Sequence, residues 1–174
     1  MKRLMMGFLA WVVLAGLALP LQAQHNPRGK TELALNGKTV SVEYGRPSLH
    51  GRTVHDMLAK LQSGEFWRLG ADQSTTFSNG TALDFGGVTV PAGTYSLWAE
   101  KQSNNSWKLV FNKQHGQWGT SHNPKLDLAK VPLREEKVSD SADLVTIKLT
   151  REGSGGRFSV QWGDLMLATH FRAQ

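Results

Sequence analysis

Residues 33–44 read LALNGKTVSVEY. On both sides of Asn36-Gly37, apolar side chains alternate with polar ones, which is the period of a strand with one buried face. Asn-Gly readily adopts the positive φ angles that a two-residue hairpin turn requires. The stretch therefore predicts two antiparallel strands joined by a tight turn.

Turn signals of the same kind divide much of the remaining chain. They are Asn79-Gly80, Gly86-Gly87, Pro91-Ala92-Gly93, Asn104-Asn105, Gly153 to Gly156 and Gly163-Asp164. Asn79-Gly80 predicts a second tight hairpin, because strand-like residues stand on both sides of it. Many short strands without alternating long helices predict an all-β fold. An antiparallel β-sandwich, of which a jelly roll is one form, fits this pattern, and a barrel is the alternative.

One segment has the period of a helix. Val54, Met57, Leu58 and Leu61 recur at the i, i+3, i+4 and i+7 spacing of an amphipathic helix. The pattern predicts one short helix over 54–62, within the long connection that follows the first hairpin. We expect this helix to cover an open edge or end of the strands.

The first 23 residues have the pattern of a secretory signal peptide. Lys2 and Arg3 precede an uncharged apolar stretch over 4–21, and the small Ala23 is the predicted cleavage point. The alternative is an uncleaved anchor, because the stretch approaches the length of a membrane span. We predict a signal peptide over 1–23, a flexible mature start over 24–30 and one β-sandwich domain over 31–174. The mature protein is then exported, periplasmic or secreted, with no stable membrane span.

Composition limits the kinds of partner. The chain has no cysteine, so disulfides do not contribute to its stability. Of its 20 lysines and arginines, Lys2 and Arg3 belong to the leader, and the 18 others exceed the 14 acidic residues by four. An excess this small and scattered favours weak attraction to small anions but does not favour nucleic-acid binding.

A series of short motifs runs through the chain. They are Tyr44-Gly45-Arg46-Pro47, Gly51-Arg52, Trp67 to Ala71, Pro91 to Leu97, and Asn112 followed by Gln117-Trp118-Gly119. This combination resembles the DUF2911 family of exported bacterial proteins, over about residues 31–174. The resemblance implies export and the extent of the domain, and it implies no reaction. Family members often carry Asn and then an acid after the Gly-Ala pair, whereas this chain has Asp72-Gln73.

The connection from Tyr44 to Asp72 carries more charged and aromatic side chains than a connection needs. Guanidinium groups can hold a carboxylate, sulfate or phosphate by two hydrogen bonds, and flat aromatic rings can stack on sugars. The alternative is structural, with arginines that bind loop carbonyls and tryptophans that fill the ends of the sandwich. The predicted ligand-binding residues are Arg46, Arg52, Trp67, Arg68, Asp72 and Trp118.

Catalytic and metal chemistry has weaker support. His50, His55 and Asp56 are close in sequence, and His115 and His122 lie in another loop, but the spacing matches no metal motif. Ser48 with His50 and Asp56 supplies the residue types of a catalytic triad without establishing its hydrogen bonds. The sequence therefore predicts no catalytic residue, no metal ligand and no cofactor.

Together these observations favour a non-catalytic binding module of the bacterial envelope that takes a small anionic or glycan-like ligand. One alternative is a hydrolase that acts on an envelope glycan or ester, with His50 or His55 as its base. Another is a structural or interaction protein without a small ligand. The sequence predicts no oligomeric state.

Overall fold

A computed structural model describes residues 25–174, and the predicted leader lies outside this part of the chain. The described part contains twelve strands and one short α-helix. In chain order the elements are β1 (Arg28–Leu35), β2 (Lys38–Gly45), α1 (Val54–Leu58), β3 (Phe66–Trp67), β4 (Thr76–Asn79), β5 (Leu83–Asp84), β6 (Thr89–Val90), β7 (Gly93–Lys101), β8 (Trp107–Asn112), β9 (Asp127–Glu136), β10 (Ala142–Glu152), β11 (Gly155–Gly163) and β12 (Leu165–Ala173). The predicted all-β antiparallel fold, with one short helix in the long connection, is confirmed.

The strands form one antiparallel sheet in the order β1-β2-β4-β7-β8-β9-β12-β11-β10. Strand β9 joins the two halves of this sheet. Its residues 127–133 pair with β8, and Arg134–Glu136 pair with β12. The sheet therefore turns a corner along β9, its halves face each other as in a sandwich, and the whole resembles a nearly closed barrel.

Aromatic side chains fill the space between the two halves. The Phe111 ring lies 5.3 Å from that of Phe77 and 5.2 Å from that of Phe85. Phe85 in turn lies 5.3 Å from Phe171 on β12, so these contacts link the two halves. At another part of the core, Trp67 stacks on Trp162 with ring centroids 5.9 Å apart.

Side chains connect the two outer strands of the sheet. The hydroxyl of Tyr44 accepts a hydrogen bond from the Ile147 N–H at 2.9 Å and donates one to the Ile147 carbonyl at 3.2 Å. The Leu149 N–H donates to Thr31 Oγ1 at 3.2 Å. Within residues 25–174 no backbone ladder joins β10 to β1 or β2, so side chains make these contacts. Backbone bonds to β10 begin just after β2, where the Val145 N–H donates to the Pro47 carbonyl and the Leu49 N–H donates to the Asp143 carbonyl.

The two Asn-Gly pairs have different structures. Asn36 and Gly37 have φ angles of 50° and 73° and join β1 to β2 directly, as predicted. The hairpin predicted at Asn79-Gly80 is wrong, because β4 pairs with β2 and β7 whereas β5 pairs with β6 and β12. Asn79 instead donates from Nδ2 to the carbonyls of Thr81 and Pro91, which fixes the chain as it leaves β4.

The helix is shorter than predicted and ends at Leu58. Beyond it, Lys101 Nζ donates to the Leu61 carbonyl, and the Gln62 N–H donates to Glu65 Oε2. These bonds turn the chain toward β3 and use backbone groups that a longer helix would need. The apolar residues of the predicted helical stripe still pack against the core.

Residues before the predicted domain start already belong to the folded domain. Strand β1 begins at Arg28, before the predicted domain start at Thr31, and the Asn26 N–H donates to Asp72 Oδ2 at 2.9 Å. Among residues 25–174, no helix has the length and apolarity that a membrane crossing requires.

Candidate functional site

A groove of about 600 Å³ lies between the segment after α1 and the loop that follows β8. Its walls include apolar side chains from both segments and from β7, and the charged side chains of Lys60, Glu65 and Arg68. The lining includes Lys60, Phe66, Trp67, Arg68, Trp98 and His122. A groove of this size and composition is typical of small-molecule sites.

Strand β7 supplies the floor because it is buried on both faces. Leu97 and Ala99 face the core, as the strand alternation predicts. Ser96 and Trp98 point the other way and are buried as well. The loop over 113–126 covers this second face, and Gln117 Nε2 donates to Ser96 Oγ at 3.2 Å. The Trp98 indole N–H donates to the same Ser96 oxygen at 3.0 Å, which fixes the orientation of the ring.

His122 is held on this floor by two aromatic rings and a carboxylate. Its ring centroid lies 4.1 Å from that of Phe66 and 4.7 Å from that of Trp98. Its Nε2 lies 2.8 Å from Asp127 Oδ1, and both side chains are only 9% exposed. Asn112 Nδ2 donates to the same Asp127 oxygen at 2.7 Å.

The second ring nitrogen of His122 is accessible. Within residues 25–174, Nδ1 of His122 has no hydrogen-bond partner, and the one fully buried side-chain polar atom without a partner is Asn79 Oδ1. Nδ1 is therefore not completely enclosed, although the His122 side chain is only 9% exposed. His122 lines the groove.

Gly119 lets the two walls approach each other. Its N–H donates to the Asp72 carbonyl at 2.7 Å, and residues Gln73 and Trp118 form an antiparallel bridge. A Cβ atom at position 119 would lie 2.7 Å from that carbonyl and 3.3 Å from Arg68 Cδ. Any larger residue would therefore push the loop away from Arg68.

A family model described as a protein of unknown function, DUF2911, matches residues 26–171. The chain belongs to the DUF2911 family. The predicted resemblance is confirmed, and the description of the family states no activity. No curated protein and no solved structure matches the chain.

In this DUF2911 protein, four of the six predicted ligand-binding residues lie around the groove or beside it. Trp67 and Arg68 line the groove. Trp67 is only 6% exposed and mainly packs in the core, whereas Trp118 is 51% exposed and precedes the groove residue Gly119. Asp72 lies under Gly119, and its carboxylate binds Asn26.

The other two predicted residues make structural contacts elsewhere. Arg46 donates from Nε to the Val145 carbonyl at 3.1 Å and from Nη2 to Thr146 Oγ1 at 3.3 Å. Arg52 donates from Nε to the Leu49 carbonyl at 2.9 Å. Neither arginine lines the groove, so Arg68 is the predicted arginine whose position suits a ligand there.

Of the histidines considered in the sequence, His122 lines the groove, whereas His50 and His55 are separate from it. His55 Nε2 lies 3.4 Å from Asp164 Oδ1, and both side chains are largely exposed. Ser48 donates to Asp143, and Asp56 accepts from Thr53, so Ser48, His50 and Asp56 do not form a triad. Residues 25–174 contain no cluster of three or more His, Asp or Glu side chains suited to a metal ion.

Sequence reasoning missed Asn112, His122 and Asp127 as a group. The five-residue separation of His122 from Asp127 carries one signal, because Asn123-Pro124 between them is typical of a turn. The structure has a short 3₁₀ turn at Pro124–Leu126, and this turn brings His122 back to the start of β9.

Proposed function

We propose that the mature protein is a binding protein of the bacterial envelope whose groove takes a small ligand with a flat sugar-like face and one anionic group. The apolar leader sequence supports export. One observation carries the choice of ligand: aromatic side chains line the same groove as two cationic groups that have no ion-pair partner within residues 25–174. The family match leaves the activity open, and catalysis is not required for this proposal.

The groove offers an anionic group a partner at Arg68. The Arg68 guanidinium makes no hydrogen bond and no ion pair within residues 25–174, although its backbone carbonyl accepts from Thr75. Lys60 adds a second positive charge to the lining. Glu65 also lines the groove and keeps its negative charge, so the three groups leave a net charge of +1, and its carboxylate accepts from the Gln62 N–H. A planar guanidinium can bind a carboxylate by two parallel hydrogen bonds.

Aromatic rings suit the sugar-like part of the ligand. The partly exposed Phe66 ring and the exposed Trp118, next to the groove edge at Gly119, can stack on a sugar, whereas Trp98 is only 3% exposed and closes the floor. Because Trp98 is fixed by its bond to Ser96, the floor of the groove is arranged before a ligand arrives.

Thermal unfolding with three probes tests this proposal. We expect glucuronate to raise the melting temperature of the mature domain more than glucose or acetate does, because only glucuronate combines a sugar ring with a carboxylate. Arg68→Met should weaken glucuronate binding about tenfold or more, as expected for the loss of a hydrogen bond to a charged group. Arg52→Met is the matched control, since Arg52 lies outside the groove.

Two outcomes would contradict the groove proposal. One is that no sugar acid binds at millimolar concentration. The other is that Arg68→Met and Arg52→Met bind glucuronate as tightly as the unmodified protein does. Circular dichroism of each variant without ligand checks that the fold is retained.

A second candidate function is hydrolysis of an ester, and the His122–Asp127 pair favours it. In such a reaction a water molecule would lose its proton to His122 Nδ1 while its oxygen adds to the ester carbonyl. His122 would then return the proton to the departing alcohol oxygen, leaving a carboxylic acid and an alcohol. Asp127 would orient the imidazole through Nε2. If the protein releases p-nitrophenol from p-nitrophenyl acetate and His122→Gln does not, this function is supported. A release rate equal to that in buffer alone would exclude it for this probe.

A further inference from the structure

A second hollow, of about 680 Å³, lies where β9 and β12 separate. These strands pair only over Arg134–Glu136 and Met166–Ala168. Farther along, the β5–β6 hairpin stands between them, because β5 pairs with β12 at Arg172 and Ala173 and β6 approaches β9. The hollow lies at this fork and is separate from the groove described above.

Two arginines from the two separating strands line the hollow. They are Arg134 on β9 and Arg172 on β12. Neither forms an ion pair within residues 25–174, although Asp84 stands opposite Arg172 in the sheet register. Within residues 25–174 neither guanidinium makes a hydrogen bond, so each has donors that can bind a carboxylate.

The acidic side chains around the hollow already have other partners. Glu152 Oε2 lies 2.8 Å from His170 Nδ1, and Glu152 Oε1 lies 3.9 Å from Arg157 Nε. Asp84 Oδ1 accepts a hydrogen bond from the Gly87 N–H at 2.7 Å. The lining therefore carries two arginines and two carboxylates, with no net formal charge, but within residues 25–174 neither carboxylate forms an ion pair with Arg134 or Arg172.

The spacing of the two arginines favours a ligand with two charged ends. Arg134 stands opposite Ala168, and Arg172 lies four residues farther along β12. At the usual rise of a strand, the backbone positions of Ala168 and Arg172 are roughly 13 Å apart. Pro132 adds exposed apolar surface to the lining, whereas the Phe85 and Phe171 rings behind it are buried in the core. A single small anion would meet one guanidinium well, whereas an anion with two separated carboxylates can meet both.

We propose that this hollow binds a small organic acid with two separated carboxylates joined by an apolar chain. One guanidinium holds each carboxylate by paired hydrogen bonds, and the apolar chain lies against Pro132. This proposal does not depend on the function of the groove, because none of the hollow's lining residues lines the groove.

The proposal is tested by calorimetric titration of the mature domain with succinate, glutarate and adipate at matched ionic strength. Acetate is the single-carboxylate comparison. We expect at least one dicarboxylate to bind at least about tenfold more tightly than acetate, because it gains a second charge-assisted contact. Arg134→Gln and Arg172→Gln should each reduce this affinity about tenfold or more. Both side chains are exposed, so the variants should keep the fold, and their melting temperatures without ligand check this.

Two controls separate this site from general charge effects and from the groove. Arg28→Gln removes one exposed positive charge from β1, outside both sites, and should bind the dicarboxylate as the unmodified protein does. Arg68→Met should also leave dicarboxylate binding unchanged. Amide chemical shifts should move at Gly86, Gly155 and Ala168, which line the hollow.

The proposal is overturned if no dicarboxylate binds at millimolar concentration, or if acetate binds equally well. It is also overturned if Arg28→Gln weakens binding as much as Arg134→Gln does. If Arg68→Met is the only variant that loses dicarboxylate binding, the dicarboxylate binds in the groove and not in the hollow.

Discussion

Asn112 is completely buried at the end of β8, and every part of its amide is used. Its Nδ2 donates to the Asn123 carbonyl at 2.8 Å and to Asp127 Oδ1 at 2.7 Å. Its Oδ1 accepts from the Gln114 N–H at 2.9 Å. Asn112 therefore holds both ends of the loop that covers Trp98, and it orients the carboxylate that binds His122.

We predict that Asn112→Ala destabilises the protein by about 2 kcal/mol or more, because several buried polar groups lose their partner together. Urea unfolding followed by tryptophan fluorescence measures this change. Asn104→Ala is the control, since Asn104 is exposed and bonds only to Ser106 in a hairpin turn. Equal losses in the two variants would show that the buried network adds nothing beyond a local turn.

The role of Asn112 was not predictable from the strand pattern. Trp107, Leu109 and Phe111 alternate with Lys108, Val110 and Asn112, which predicts one buried face for β8. The loop over 113–126 covers part of the second face, so Val110 and Asn112 are buried there too. The alternation of residues within one strand does not indicate which distant loop covers that strand.

Helix α1 depends on a capping box at its first turn. Asp56 N–H donates to Thr53 Oγ1 at 3.0 Å, and Thr53 N–H donates to Asp56 Oδ2 at 3.3 Å. The Thr53 hydroxyl also donates to that carboxylate at 2.7 Å. This bond and the backbone bond lower the pKa of Asp56 below its ordinary value of 3.8. The cap fixes the start of the segment whose Met57 and Leu58 line the groove.

We predict that Thr53→Ala destabilises the protein by about 1 kcal/mol at neutral pH, whereas Thr53→Ser stays close to the unmodified protein because it keeps the hydroxyl. A depressed pKa in the folded state means that the Asp56 contribution is complete above pH 3.8 and is lost as the pH falls through the folded pKa. The difference between the alanine and serine variants should therefore shrink in acid. Urea unfolding at several pH values measures it, and a difference that grows below pH 3.8 would contradict the assignment.

Turn signals predicted the local elements better than the connections between them. Asn36-Gly37 forms the predicted hairpin because β1 and β2 need only each other as neighbours at that turn. At Asn79-Gly80 the neighbours β2 and β7 already occupy both sides of β4, so the chain must leave for the other half of the sheet. Strand β9 carried no clear signal, since Pro132 in its middle argues against a strand. The sequence therefore predicted the fold class but not the strand order.

At the scale of the whole molecule, β9 joins the two halves covalently on one side. On the other side, side chains of the first hairpin hold β10. Tyr44, Thr31 and Arg46 all bind backbone groups of β10, and Pro47 accepts from the Val145 N–H. Arg46 was predicted to bind a ligand, and its contacts instead fit the structural alternative for that residue. Which strands meet at this seam is a long-range property that turn and strand patterns do not specify.

We predict that Tyr44→Phe opens this seam without emptying the core, because phenylalanine fills the same space and lacks the hydroxyl. The backbone N–H and carbonyl of Ile147 would both lose their buried partner, which should destabilise the protein by about 2 kcal/mol or more. Tyr95→Phe is the matched control: Tyr95 is also buried, but its hydroxyl bonds only to the Pro91 carbonyl near its own strand. Hydrogen exchange gives the local readout. Amide protection of Ile147 and Leu149 should fall in Tyr44→Phe and persist in Tyr95→Phe, and unchanged protection at Ile147 would show that the seam is held by packing rather than by the tyrosine hydroxyl.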